Sequence, residues 1–259
     1  MENKGLPNFI QTNVIVSDLP ESHLSKKQLL ALNEEFLSDY AAQSDPQIIF
    51  DVCKSYAEKG SSEAHYLLGL WYEQGDGKQQ YIQLAAMSYW RASHLGKAEA
   101  QYNLALLCVH GGGAEPDLIT AFYWFEKAAN SGVKQAIYNL ASFYDQGLGC
   151  VEDKKAAFLL YEKAANLGFY KAWFNLAVMF YEGEGIEPNS ILAYAWVLLA
   201  TEARVDEAIK FESRLKNALS DDQIQAGKQY FEMLHKQYKH FMPNVDQDAI
   251  SLFNSALDS

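Results

Sequence analysis

Apolar and small side chains recur with a period of 36 residues between positions 61 and 204, which divides this stretch into four consecutive units. The first half of each unit carries an alanine, a leucine four residues later, a small residue beside the leucine and, in three units, an aromatic residue three positions further on. These spacings place the four side chains on one face of an α-helix. The four sets are Ala64, Leu68, Gly69 and Tyr72; Ala100, Leu104, Ala105 and Cys108; Ala136, Leu140, Ala141 and Tyr144; and Ala172, Leu176, Ala177 and Phe180. Each unit is therefore predicted to begin with a helix that buries this stripe.

A pair of glycines follows the first helix of each unit. Glycine adopts positive φ without steric cost, so a Gly-x-Gly pair predicts the end of one helix and a tight turn into the next. The pairs are Gly75 and Gly77, Gly111 and Gly113, Gly147 and Gly149, and Gly183 and Gly185. Asp117, Asp153 and Asn189 then stand at equivalent positions, where their side chains are predicted to cap the second helices.

The second half of each unit carries another apolar stripe at helical spacing. Its members are Ala85, Tyr89 and Ala92; Ala121, Phe125 and Ala128; Ala157, Tyr161 and Ala164; and Ala193, Val197 and Ala200. A hairpin of two such short helices buries too little apolar surface to be stable alone, so neighbouring hairpins are expected to stack. The predicted fold is all-α, an α/α solenoid built from the units 61–96, 97–132, 133–168 and 169–204.

Both flanks of the four units depart from the repeat. Residues 1–23 lack a helical period and are interpreted as an N-terminal arm. Residues 24–60 are predicted to form a degenerate helix pair, with helices over about 25–40 and 47–58, because Gly60 precedes Gly96 by one period. Residues 205–259 are predicted to be C-terminal capping helices and a tail, which cover the last apolar face of the array.

The C-terminal flank carries its own helix signals. Arg204 replaces the glycine that closes the other units. A helix is predicted over residues 205–219, and Ser220 with Gln223 forms a capping-box pattern that begins a long helix to about Tyr238. A short closing helix is predicted over 246–257.

Composition narrows the classes of partner. The chain has 259 residues and a formal net charge of −12, which disfavours nucleic acid and anionic membranes. Its three cysteines, Cys53, Cys108 and Cys150, are too few and too scattered for a disulfide framework. The N-terminus lacks the pattern of a signal peptide, and no stretch is apolar enough to span a membrane. We therefore expect a soluble cytoplasmic protein.

No local motif for catalysis is present in the sequence. The six histidines form no i,i+4 metal-ligand pair, and none has a cysteine partner at metal-ligand spacing. No serine lies in a G-x-S-x-G motif. We therefore expect no catalytic residues, no metal and no cofactor. The alternative is an enzyme or enzyme subunit, of hydrolase type, whose site is assembled from side chains of different repeats.

The order of these signals resembles the Sel-1-like repeat family: A-x-x-N-L-small-x-x-aromatic-x-x-G-x-G, a capping Asp, then A-x-x-x-aromatic-x-K-A-A-x-x-G. The segments FEKAANSG, ending at Gly132, and YEKAANLG, ending at Gly168, match most closely. The segment AYAWVLLA with its helical tail resembles the closing unit of bacterial members. The resemblance implies tetratricopeptide-like pairs of antiparallel helices in a right-handed superhelix. It also implies an adaptor that assembles other proteins.

Similarity to tetratricopeptide arrays implies that the remaining first-helix positions face a concave groove. Carboxamides there can both donate to and accept from a peptide backbone, and aromatic rings add contact area. The candidate partner-binding residues are Tyr66, Leu70, Tyr102, Asn103, Leu106, Tyr138, Asn139, Phe174, Asn175 and Val178. The predicted partner is therefore a protein or peptide segment. Two alternatives stay open: the Asn and Tyr side chains pack between neighbouring repeats, or the N-terminal arm docks on a second copy.

Overall fold

A computed structural model describes residues 46–74, 79–113 and 115–242 of the chain. These residues form eleven α-helices and two short 3-10 helices, with no β-strand among them. The α-helices are α1 (Pro46–Glu58), α2 (Ser62–Gln74), α3 (Gln79–His94), α4 (Ala98–His110), α5 (Leu118–Asn130), α6 (Lys134–Gln146), α7 (Lys154–Asn166), α8 (Lys171–Glu182), α9 (Ser190–Glu202), α10 (Asp206–Ala218) and α11 (Asp221–Tyr238). The all-α prediction is confirmed.

Several predicted elements lie outside the described residues. They are the arm over 1–23, the helix over 25–40, the turn glycines Gly75 and Gly77, and the helix over 246–257. The helix predicted over 47–58 is present as α1, one residue longer at its start.

The described helices fall into two compact units, each larger than a single 36-residue repeat. From here on, 'unit' refers to these two, and the 36-residue stretches are called repeats. The first unit contains residues 46–143 and 147–151, and the second contains 144–146 and 152–242. In the first unit, α1 to α5 pack in chain order, with each of α1 to α4 against the next helix. In the second unit α7, α8 and α9 pack in the same order, and α10 and α11 both pack against α9. Because short turns join consecutive packed helices, neighbours run antiparallel.

The two predicted stripes form the core of these units. The stripe alanines are fully buried, which lets neighbouring helix backbones approach closely; they are Ala64, Ala85, Ala100, Ala121, Ala136, Ala157, Ala172 and Ala193. The large second-helix residues are also buried, with Tyr89 at 0% and Phe125 at 1% exposure. The pattern of buried positions is therefore confirmed for both helices of the hairpin.

One member of the first-helix stripe differs from the prediction. Tyr144 is half-buried, whereas its neighbour Phe143 is 5% exposed. The ring of Phe143 meets that of Phe125 edge-on, with 5.1 Å between the centroids. Phe143 rather than Tyr144 is therefore the buried aromatic residue of this helix. Its ring packs on α5, the second helix of the repeat before.

The predicted helix caps are confirmed. The side chains of Asp117, Asp153 and Asn189 accept hydrogen bonds from the backbone N–H groups three residues later, at 3.1, 2.9 and 3.0 Å. Ser220 and Gln223 form the reciprocal capping box at the start of α11. Each cap satisfies backbone donors that the first helical turn leaves unpaired.

Arg204 is the last residue of the fourth repeat and has a backbone conformation that glycine adopts more easily. Its φ is +60°, in the left-handed region that costs an L-residue about 1–2 kcal/mol. We expect Arg204→Gly to raise the free energy of unfolding by about 0.5–1 kcal/mol, since part of the relieved strain is offset by the greater freedom of glycine in the unfolded chain. Urea denaturation followed by circular dichroism measures this change. Unchanged or lower stability would show that the Arg204 backbone is not strained.

Candidate functional site: the first-helix face

The ten predicted partner-binding residues share one degree of burial. All ten are half-buried, neither in the core nor fully exposed. We call these ten side chains the first-helix face. Its members in the first unit are Tyr66, Leu70, Tyr102, Asn103, Leu106, Tyr138 and Asn139, and those in the second unit are Phe174, Asn175 and Val178.

Asn103 belongs to a hydrogen-bonded cluster that joins two repeats. Its carboxamide donates to the phenol oxygens of Tyr66 and Tyr89, both of which belong to the preceding repeat. The Tyr89 hydroxyl in turn donates to the Glu73 carboxylate over 2.5 Å. Burial and then the bond to Glu73 raise the pKa of Tyr89 far above its usual range, so this hydroxyl remains a donor.

Asn139 shows the same arrangement one repeat later. It hydrogen-bonds to the phenol of Tyr102, whose ring lies 6.0 Å from that of Phe125. Asn103 and Asn139 therefore each link their own first helix to a tyrosine of the repeat before. The packing alternative accounts for these bonds, and the half-exposed edges of the same residues remain open to solvent.

Charged side chains surround the first-helix face near Tyr66. Lys97 lies 2.6 Å from the Glu63 carboxylate and 3.4 Å from that of Glu99, and its ammonium is 5.2 Å from the centre of the Tyr66 ring. Burial, then the charge of Glu99, raises the pKa of Tyr66. Two carboxylates therefore share one cation at this edge, which leaves it negative. Sequence reasoning missed Lys97, because the equivalent positions in later repeats, Val133 and Phe169, carry no charge.

In the second unit, α10 contacts the first-helix face. The ring of Phe174 meets that of Phe211 at 5.8 Å in an edge-on arrangement. The Arg214 guanidinium lies 4.9 Å from the Phe211 ring and 5.6 Å from the Tyr181 ring. Phe174 is therefore partly covered by the helices that follow the last repeat.

Four stretches of the chain match the family model described as the Sel1 repeat, at residues 62–92, 98–133, 134–169 and 171–204. Together they make up more than half of the chain. The chain belongs to the Sel1 repeat family. This result confirms the resemblance and agrees with the observed order of helix pairs.

Two solved structures are similar to this Sel1 repeat protein. A protective antigen of uropathogenic Escherichia coli with an SLR fold is 27% identical over 79% of this chain, with a TM-score of 0.67, and this chain spans 44% of that protein. A Sel1 repeat protein from Oxalobacter formigenes is 24% identical, with a TM-score of 0.62, over 82% of this chain and 88% of its own. No curated protein matches the chain significantly. The fold of this Sel1 repeat protein is thus that of an α/α solenoid.

The described residues offer little that could act as a nucleophile or a metal ligand set. Burial raises the pKa of Cys53 to about 12 and that of Cys108 beyond it, so both thiols are protonated near neutral pH. No group of three or more His, Cys, Asp or Glu side chains is arranged to hold a metal ion within the described part of the chain. No helix there is both long and apolar enough to cross a membrane.

The role of Asn103 can be tested through stability. We expect Asn103→Ala to lower the free energy of unfolding by about 1–2 kcal/mol, because the buried phenol of Tyr89 loses a hydrogen-bond partner. Urea denaturation measures the loss, and a double-mutant cycle with Tyr66→Phe isolates the coupling of Asn103 to Tyr66. If Asn103→Ala leaves stability unchanged, the carboxamide is not an inter-repeat contact and is free for a partner.

Proposed function

We propose that this Sel1 repeat protein is a non-catalytic scaffold that holds a protein or peptide segment on the first-helix face. Sel1 repeat proteins generally mediate protein–protein interaction. The observation that carries the proposal is the half-burial of the same aromatic and apolar positions on successive first helices. Such side chains are held in place by the fold and still present area to a partner.

The composition of the first-helix face supports a polypeptide as the ligand. Tyr66 and Tyr102 have their rings fixed by contacts with Tyr89 and Phe125, so little side-chain freedom is lost on binding. Leu70 and Leu106 lie one helical turn beyond them and are also half-buried. A partner segment can therefore bury apolar side chains against the leucines and place polar groups beside the tyrosines.

Affinity capture with matched variants tests this function. The full chain, immobilised, is exposed to a lysate of its source organism, and retained proteins are identified by mass spectrometry. We expect the double variant Leu70→Glu, Leu106→Glu to lose the retained partner. Ile119→Glu serves as the control, because Ile119 is 74% exposed on a second helix. Equal retention by all three folded proteins would contradict use of the first-helix face.

A hydrolase-type site assembled across repeats is the alternative, and no observation among the described residues favours it. Cys53 and Cys108 are protonated and buried. Sel1 repeat proteins are typically non-catalytic. We propose a cytoplasmic location because the free cysteines follow no disulfide pattern. The net charge of −12 favours protein over nucleic acid as the partner.

A further inference from the structure

The first unit contains a cavity of about 590 Å³ between α1, α2 and α3. Its walls are largely apolar, and its lining includes Lys54, Glu58, His65, Ser88 and Arg91. We call this space the α1–α3 cavity. Its lining includes none of the ten residues of the first-helix face, so it does not depend on the proposed function of that face.

Ser88 is a small residue at a register position where the later repeats carry large ones. The residues at the same register position in the next three repeats are large: Trp124, Leu160 and Trp196. Trp124 is 2% exposed, and its ring lies 5.4 Å from that of His94, the register equivalent of Glu58. Between α3 and α5 the chain therefore fills this space with its own indole, whereas the serine at position 88 leaves the volume open.

The second unit contains the equivalent space between α7, α8 and α9. The register equivalents, 108 residues apart, are Glu58 and Asn166, Gly60 and Gly168, His65 and Trp173, and Ser88 and Trp196. The two spaces can therefore be compared position by position.

Two aromatic side chains occupy the space in the second unit. The ring of Tyr238, at the end of α11, lies 5.6 Å from Trp173 and 5.7 Å from Trp196, and its hydroxyl donates to Asn166 over 2.5 Å. Phe241 lies against Gly168 so closely that a Cβ there would overlap the Phe241 ring. The end of a helix with aromatic residues three positions apart is thus the natural occupant of this space.

No described residue takes this place in the first unit. A Cβ added at Gly60 would meet nothing within 4 Å, in contrast to Gly168. The α1–α3 cavity is therefore open where aromatic side chains lie in the second unit.

The charges of the two spaces differ. Burial raises the pKa of Tyr238, and the nearby negative charge of Glu162 raises it further. In the first unit, Lys54 is the register equivalent of Glu162, and Arg91 is the register equivalent of Leu199. His65 is neutral, because burial and then the charge of Arg91 lower its pKa to about 4. The α1–α3 cavity thus carries two cations against the single carboxylate of Glu58, in a chain whose net charge is −12.

We propose that the α1–α3 cavity docks a helix of a partner protein that presents two aromatic side chains three residues apart, flanked by carboxylates. The aromatic pair takes the place that Tyr238 and Phe241 occupy in the second unit. The flanking carboxylates pair with Lys54 and Arg91. The shape of the proposed occupant is inferred from the second unit, and its negative charge is inferred from the two cations of the cavity.

A peptide copied from the chain itself tests the proposal. The probe is a fluorescein-labelled peptide of residues 228–242 in which Lys236→Glu and Lys239→Glu place carboxylates beside the aromatic pair. Fluorescence anisotropy measures its binding to the full-length protein. We expect saturable binding, weakened about tenfold or more by Gly60→Ala, because a Cβ at its register equivalent Gly168 would overlap the Phe241 ring. Gly96→Ala is the control for backbone strain, since Gly96 has nearly the same positive φ as Gly60 and does not line the cavity.

Charge variants provide the second arm of the test. The unmodified peptide, with lysines beside the aromatic pair, should bind several-fold more weakly than the probe. Arg91→Glu should reverse this order. Lys127→Glu is the matched control, since Lys127 is the register equivalent of Arg91 in the next repeat, and it should change neither affinity.

Three outcomes would overturn the proposal. The first is no binding of the probe to the wild-type protein. The second is equal binding to wild type and Gly60→Ala. The third is equal binding of both peptides. If Gly60→Ala does not fold, the reversal of peptide preference by Arg91→Glu carries the test in its place.

Discussion

Replacing Gly149 with alanine is expected to lower the free energy of unfolding by about 3 kcal/mol or more. Gly149 is the second glycine of its Gly-x-Gly turn, and its φ is +66°. A Cβ at this position would overlap the backbone carbonyl of Leu118, at the start of α5. The turn approaches the preceding second helix so closely that the backbone must move to admit a methyl group.

A second glycine variant separates the two causes of this loss. Gly132 has a φ of +87°, but a Cβ there would meet nothing within 4 Å. Gly132→Ala should therefore cost only the backbone strain, about 1–2 kcal/mol. Urea denaturation followed by circular dichroism measures both variants. Equal losses would show that Gly149 is required for its φ alone and that the contact with Leu118 does not matter.

Tyr238→Ala is expected to lower the free energy of unfolding by about 3–5 kcal/mol. Tyr238 is 4% exposed and packs between Trp173 and Trp196, so its removal leaves a cavity between two buried indoles. Apart from Tyr238, the only residue of α11 that is buried is Gly227, which lies against Tyr194. The side chain of Tyr238 is therefore a principal attachment of α11 to the last repeat.

Tyr238→Phe is the matched control for this prediction. It keeps the ring and removes only the hydroxyl that donates to Asn166. We expect a loss of about 1–2 kcal/mol, because Asn166 loses one hydrogen bond at a partly buried position. If the alanine variant is no less stable than the phenylalanine variant, the aromatic packing does not hold α11, and the helix is not a stabilising cap.

The helix pairs could be predicted from the sequence because their determinants are local. The 36-residue period, the cap residues Asp117 and Asp153 and the capping box at Ser220 each act within a few residues of their own position. Backbone groups at helix ends need partners nearby, so these signals have few competing outcomes.

The burial of Phe143 in place of Tyr144 could not be predicted from such local signals. Two adjacent aromatic residues both fit the helical period, and the choice between them depends on where Phe125 lies. The bonds of Asn103 and Asn139 pose the same difficulty. Whether a half-buried carboxamide faces a partner or the preceding repeat depends on how one repeat is rotated against the next, and the 36-residue period does not encode that rotation.

The α1–α3 cavity shows how sequence and structure complement each other. The sequence places Ser88, Trp124 and Trp196 in one register. It does not show that the volume left at Ser88 remains open, because neighbouring side chains often close around a small residue. The open volume in the first unit, and the aromatic side chains in the equivalent space of the second unit, became apparent only from the packed helices.

Hydrogen–deuterium exchange with the captured partner tests the scaffold account most directly. The full-length protein is compared with and without saturating partner, and exchange is resolved by mass spectrometry on peptides from each helix. The account predicts protection of the first helices α2, α4, α6 and α8, with smaller changes in the second helices. Protection confined to the second helices, with α2, α4, α6 and α8 unchanged, would contradict binding at the first-helix face.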